Sequence, residues 1–374
     1  MARVTTAIVG CGVRTMSFHG PETKRSQKYE LRAVCDIDQE RRDYASRKLE
    51  VPAVADYRAL LDRKEIQSII VVTTAQWHAQ IALDAMSANK HVIVEKPLAD
   101  SAESAYRMAN AAERAGLVGL TFYPSVYGWY GQTLKRLVHE IDPIQGLFVS
   151  QRGPLNPQFF FPEHYGGIVD QATHTINLAL TVMAGEPQSV FAHIARGTIN
   201  DDDTIDRIDL VVELDGGRSI NVNSSMLGWQ ARNFTQIVGL RGAVTAGDRD
   251  AIRIVRHPVI KGPGRVAPAH QYAARQRAAE ERGGLGPLAA LTLGRPIEVS
   301  TEEVAPPAAD RGEGDHGQGG LLGHFADLVT GEAKELRGPT LRDGAKVVAV
   351  TEAMVESART GRRVSVYQPA LATV

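Results

Sequence analysis

The sequence predicts an α/β protein in two parts, a doubly wound parallel sheet followed by an α+β region built on a mostly antiparallel sheet. Through the first third, apolar runs of strand length alternate with helical patterns, and this β-α-β-α order implies parallel strands covered on both faces. After about Phe122 strands follow one another without long helices between them, as in an antiparallel sheet. A third observation is local. The first strand runs directly into the glycine turn IVGCGVRT, residues 8–15, the start of a Rossmann-type dinucleotide-binding crossover.

In order along the chain, strands are expected at Thr5–Val9, Leu31–Cys35, Ile66–Val72, His91–Val94 and Val118–Phe122. The patterns between them predict helices at Asp38–Leu49, Gln76–Ala88 and Ala102–Ala115. The second part carries strands at Ile144–Arg152, Gln188–Ala195, Arg207–Leu214, Ser219–Ser225 and Phe234–Val238, with Asp215-Gly216-Gly217 as a hairpin turn. Residues 262–319 are rich in Gly, Pro, Ala and Arg with little periodicity and read as an irregular insertion. Helical stretches at Leu321–Thr330 and Leu341–Arg359 and a strand-like Arg363–Tyr367 close the chain. The parts are placed at residues 1–122 and 123–374.

Bulk properties limit the function. A chain of 374 residues, 43% hydrophobic and 23% charged, can bury two ordinary cores. With a net charge of -1 and no long basic run, electrostatics gives no case for nucleic acid or an anionic membrane surface as partner. No apolar stretch approaches the roughly 20 residues of a membrane span. The opening MARVTTAIVG lacks a secretory layout, and Cys11 and Cys35 have neither CxxC nor zinc spacing. The expectation is a cytoplasmic protein. His164, His257 and His316 form no metal set, so no metal site is expected.

In the glycine turn, Gly10 and Gly12 provide the tight bend and close backbone approach that let a helix N-terminus face a pyrophosphate; Val13 and Arg14 continue it. Thr15 stands where G-x-G-x-x-G has its third glycine, a change expected to loosen helix–strand packing. Asp36, 26 residues after Gly10, ends the second strand, where a carboxylate can accept both ribose hydroxyls of an adenosine; it could instead cap the following helix. Its charge favours NAD over NADP, a preference that Arg14, Arg41 and Arg42 can soften. Asp170, His174, Asn177 and Thr181 recur at helical spacing as a polar stripe on an otherwise apolar helix, and a cleft is where such a stripe finds partners.

These motifs together resemble the Gfo/Idh/MocA oxidoreductase family: GCGVR at 10–14, CD at 35–36, Thr73 to His78, EKP at 95–97, and the Asp-x-x-x-His pair in GGIVDQATHTIN. The resemblance extends to HFADLVTG and ESARTGRRV near the end of the chain. It implies an N-terminal Rossmann domain joined to a C-terminal domain with a large open sheet. It also implies that Lys96 points into the active site beside the nicotinamide, with Pro97 fixing its turn, and that Asp170 and His174 are catalytic.

In that reading Lys96 holds the substrate oxygen, His174 takes its proton, and Asp170 orients the imidazole or tunes its pKa. Glu95 partners the lysine or positions the cofactor, and Thr73, Thr74, Trp77 and His78 are cofactor contacts. Many relatives carry a second Asp where this chain has Asn177. The segment FYPSVYGWY lacks the arginine of many relatives, leaving Tyr123, Tyr127 or Trp129 as substrate contacts or as packing. Arg152 and Trp229 are further pocket candidates, since bidentate donors and aromatic faces suit sugar rings. The expected function is an NAD(P)-dependent oxidoreductase of a sugar, cyclitol or related polyol, working as a homodimer or homotetramer. The alternatives are a glycosidase that uses bound NAD for transient oxidation and a non-catalytic dinucleotide sensor.

Overall fold

The computed structural model describes residues 2–151, 167–197, 205–228, 232–247, 251–257, 299–306 and 317–369. The first part runs β1 (Val4–Val9), α1 (Gly20–Arg25), β2 (Tyr29–Cys35), α2 (Gln39–Leu49), β3 (Ala53–Val54), α3 (Arg58–Leu61), β4 (Ser68–Val71), α4 (Ala75–Ser87), β5 (His91–Val94), α5 (Ala102–Ala115) and β6 (Gly119–Thr121). The six strands form one parallel sheet in the order β3-β2-β1-β4-β5-β6. Order reverses at β1, so the crevice for a ligand opens between the tips of β1 and β4. Val71, Val94 and most of β1 are buried, as strands covered on both faces must be.

The second part continues with α6 (Trp129–Val138), β7 (Pro143–Gln151), α7 (Gly167–Met183), β8 (Pro187–Arg196), β9 (Ile205–Leu214), β10 (Ser219–Ser225), β11 (Arg232–Gly239), β12 (Gly242–Gly247), β13 (Ile252–Arg256), β14 (Ser300–Val304), α8 (Gln318–Thr330), α9 (Leu341–Thr360) and β15 (Val364–Ser365). Among the described residues the second sheet has nine strands, β14-β13-β12-β11-β7-β10-β9-β8-β15, antiparallel except where β7 lies parallel to β10. The expected turn at Asp215–Gly217 joins β9 to β10. The strands β12, β13 and β14 have no counterpart in the sequence reading, and β14 falls inside the stretch read as irregular. GAVTAG has little β propensity of its own; it is extended because its backbone pairs with β11 and β13.

One face of this sheet packs on α7 through Phe148, Leu210, Val212, Ile220 and Val222, all buried, while Phe191, Val211, Phe234 and Val238 on the other stand 37–50% exposed. The two parts share a continuous core, in which Val71 and Val94 of the first belong with Ile168, Val190 and α9 residues of the second. The helix α8 then returns to the first sheet. Its Leu321, Leu322, Phe325 and Ala326 join Val4, Ile8, Tyr29 and Leu31 in one buried cluster. Tyr29 Oη donates to Leu322 O at 2.7 Å and Lys28 pairs with Asp327. The reason is visible in the crossover between β1 and β2: α1 has only six residues, too short to cover that face, and α8 supplies the missing apolar layer.

Phe325 is fully buried in that layer, so Phe325→Ala should cost about 3–5 kcal/mol and lower the midpoint of urea unfolding. A variant that unfolds at the wild-type urea concentration would show that α8 does not support the first sheet.

Candidate functional site

At the tip of β1, Gly10 has φ +100°, and a Cβ there would lie 2.4 Å from the Val72 carbonyl oxygen, so the bend admits glycine alone. Gly12 is the opposite case: a Cβ built there has nothing within 4 Å, and Val13 beside it is 80% exposed. Gly10 is therefore required by the fold, whereas Gly12 faces open space in the crevice, as close backbone approach to a dinucleotide demands. The Asp36 carboxylate accepts from Cys11 N–H at 2.7 Å and from Asp38 N–H at 2.9 Å, which aims it at the turn. The cap of α2 is Asp38, not Asp36, and accepts from Arg41 N–H. Thr15, in place of the third glycine, makes a contact of its own within the turn. Its Oγ1 donates to Gly10 O at 2.5 Å and ties the bend to the following helical turn. Burial, with Asp36 nearby, pushes both cysteine thiols up to about 12, which leaves them protonated and unreactive at neutral pH.

At the tip of β4, Thr73 and Thr74 lead into α4, and Trp77 stands 53% exposed on its first turn. His78 is buried, its Nδ1 3.0 Å from Pro97 O and Nε2 2.9 Å from Thr73 O. With both nitrogens committed to backbone, it offers no donor to a ligand and instead braces the Thr73 and Pro97 turns against each other. Burial lowers its pKa, opposed by the two carbonyls.

Glu95 and Lys96 diverge at the tip of β5. The Glu95 side chain turns inward and is 8% exposed. Its Oε1 accepts from Arg14 Nε at 2.9 Å and lies 2.8 Å from His19 Nε2, and its Oε2 accepts from Lys96 N–H at 3.0 Å. Burial pushes its pKa up, but the hydrogen bond and charge of His19 and the Arg14 guanidinium outweigh this and hold the carboxyl well below the usual range. Arg14 also donates to Gln318 Oε1 at 2.8 Å and lies over the rings of Phe18 and Phe122. The Lys96 side chain turns the other way, and Nζ donates to Asp170 Oδ2 at 2.5 Å.

Asp170 and His174 are one turn apart on α7, with Tyr123 edge-on to the His174 ring at 5.6 Å between centroids. Burial pushes the Tyr123 phenol far above its ordinary value, so it stays protonated. Lys96, Asp170, His174 and Tyr123 thus meet from three segments, and Tyr123 and Asp170 border one small cavity. Tyr127 lies elsewhere, against His324 of α8 in a separate cleft lined by Lys28, Asp327 and Arg337. Asn177 is 1% exposed, and among the described residues neither amide atom is hydrogen-bonded. Arg152 and Trp229 lie outside the described residues. His19 and Gln318 were absent from the sequence reading. No periodic signal marks either, since each is defined by a partner at least 76 residues away. Among the described residues no His, Cys, Asp or Glu cluster could hold a metal ion, and no helix is long and apolar enough to cross a membrane.

A glycine turn at a parallel-sheet switch point, an acid at the next strand tip, and a Lys–Asp pair bridging to the helix packed on a second sheet define a Rossmann-fold nucleotide-binding protein with an attached sheet domain. The chain belongs to the GFO/IDH/MocA family: the model for the oxidoreductase family with an NAD-binding Rossmann fold matches residues 4–123, and that for the GFO/IDH/MocA C-terminal domain matches 138–245. It is similar to a myo-inositol 2-dehydrogenase of Thermotoga maritima, 25% identical over 189 residues, which cover 50% of this chain and 56% of the relative. An alpha-N-acetylgalactosaminidase of Shewanella oneidensis is 36% identical over 124 residues, 30% of this chain and 27% of the relative. The matched stretches therefore span about half or less of these relatives' length. The fold is also that of a levoglucosan dehydrogenase solved with NADH and levoglucosan, with a TM-score of 0.72 and 18% identity over 98% of this chain and 100% of that one.

The two glycines should separate experimentally. Gly12→Ala should melt within about 0.5 kcal/mol of wild type yet lose NAD binding, because the methyl fills only crevice space. Gly10→Ala should destabilise the apo protein itself. Calorimetric melts and NADH fluorescence titration read the two, and normal NADH binding by Gly12→Ala would place the pyrophosphate elsewhere.

Proposed function

We propose that this protein is an NAD-dependent oxidoreductase that moves hydride between nicotinamide and a secondary hydroxyl or ketone of a sugar, cyclitol or related polyol. The observation that carries the reading is the 2.5 Å contact of Lys96 Nζ with Asp170 Oδ2, which joins the tip of β5 to the polar face of α7 where His174 stands. NAD held by the glycine turn and Asp36 supplies the hydride acceptor in the oxidative direction. The open backbone at Gly12 and the oriented Asp36 carboxylate fit it, and that carboxylate disfavours the 2′-phosphate of NADP. In this role Lys96 donates a hydrogen bond to the substrate oxygen and stabilises alkoxide character as the C–H bond breaks. His174 accepts the hydroxyl proton as general base. Asp170 keeps the ammonium in place and shares the imidazole's side of the site. Support for a sugar-like substrate comes from the inositol and levoglucosan dehydrogenases to which the chain is similar.

The stretch shared with an alpha-N-acetylgalactosaminidase favours a second reading, glycoside cleavage through transient oxidation on bound NAD. It differs from the first by releasing sugar without net NADH. In assays of polyols and sugars with NAD and NADP in parallel, wild type should form NADH with NAD preferred. Lys96→Ala and His174→Ala should each lower turnover about 100-fold with NADH affinity little changed. Oxidation should speed up with rising pH, because an imidazole accepts a proton only when neutral. Near-normal turnover in both variants on a confirmed substrate would refute the assignment of roles.

The same reading includes a homo-oligomer. The open sheet face displays Phe191, Val211, Phe234 and Val238, an apolar patch of the kind a second copy covers. Light scattering at micromolar concentration should give a dimer or tetramer mass, and a monomer would contradict it.

A further inference from the structure

Behind Lys96 lies a buried group that the proposed chemistry does not use. Residues Thr15–His19 form a π-helical turn closed by Gly20 N–H donating to Thr15 O, a ring one residue larger than that of an α-turn. The turn leaves Ser17 exposed and buries His19 completely. The imidazole is wedged against Phe122 at 4.6 Å and Phe18 at 5.2 Å between ring centroids. Among the described residues Nδ1 makes no hydrogen bond, and the polar contact that orients the ring there is Nε2 to Glu95 Oε1 at 2.8 Å. An ionised carboxylate only accepts, which makes His19 Nε2–H the donor. The other Glu95 oxygen receives the backbone N–H of Lys96, and Lys96 Nζ reaches Asp170. Single contacts thus link the π-turn to the ammonium.

Resting on the reading of Lys96 as the group that holds the substrate oxygen, we propose that His19 is a positioning residue for Lys96: by fixing the Glu95 carboxylate it sets the backbone from which the lysine reaches Asp170. Arg14 shares Oε1 with His19 but is partly exposed and is also held by Gln318. The fully enclosed His19 is the rigid partner. His78 and Tyr123 also face Glu95 across the core, yet neither has a hydrogen bond to its carboxylate among the described residues.

The test uses the full chain with His19→Phe, which keeps an aromatic ring but removes the donor, and His19→Gln, which restores one. Two readouts are taken. The first is the rate of reductive methylation of Lys96, followed by peptide mass spectrometry without substrate. The second is turnover against NADH affinity. In His19→Phe, Lys96 should be methylated several-fold faster as its pairing with Asp170 loosens, and turnover should fall about 10- to 100-fold with NADH affinity nearly unchanged. His19→Gln should recover most of both. If the phenylalanine variant does not fold, His19→Asn, whose shorter amide cannot reach Glu95, takes its place. Folded variants with wild-type Lys96 methylation overturn the proposal, as does a glutamine variant as impaired as phenylalanine. The methylation readout needs no turnover. A chain that oxidises no polyol but shows the Lys96 change would sink the proposed function and leave the positioning role standing.

Discussion

A carboxylate cannot be taken out of water alone, and Glu95 is almost entirely enclosed. Desolvation costs several kcal/mol per ion unless charges and hydrogen bonds replace the lost water. Here Arg14, His19 and the Lys96 N–H make that replacement, and between them they belong to the turn after β1 and the tip of β5. Satisfying one buried charge therefore fixes the distance between the part of the crevice suited to a pyrophosphate and the lysine that faces α7. The Glu95-Lys96 pair divides its labour: the acid faces the core and holds the backbone, while the base on the next residue faces the cleft.

The same economy joins the two parts of the molecule. A short α1 leaves one face of the first sheet bare, and α8, which arrives after the whole second sheet has been laid down, covers it. Its first residue, Gln318, reaches Arg14. The helix α9 continues the coupling with a buried face against α5 on one side and β8 on the other, opened by a Thr340–Asp343 capping box. A site assembled from β5 and α7 needs both parts held in register to within a fraction of an ångström, and a shared core achieves that better than a hinge would.

Much of this was legible in the chain. Runs of β-branched residues marked the first five long strands to within two or three residues, because strands buried on both faces leave an unbroken apolar signature. Glycine spacing located the turn at Gly10 and Gly12, and the i, i+4 spacing of Asp170 and His174 placed them on one helical face. Less legible were β12–β14, whose extended form comes from pairing with neighbours, and the difference between Asp36 and Asp38, two acids of which one caps a helix and the other faces the crevice. Tyr123 and Tyr127 are four residues apart in one aromatic segment, and composition alone does not tell that the first meets His174 while the second turns to α8.

The sequence by itself determined the class of fold, the bend that only glycine can make, and the helical face that carries Asp170 and His174, because each depends on local geometry or on periodicity within one element. The tertiary structure alone decided that Arg14 turns to Glu95, that His19 lies behind Lys96, and that α8 completes the first sheet. Those outcomes depend on partners tens to hundreds of residues away, and they are set by the requirement that every buried charge and every bare apolar face find a complement, which no local window of sequence contains.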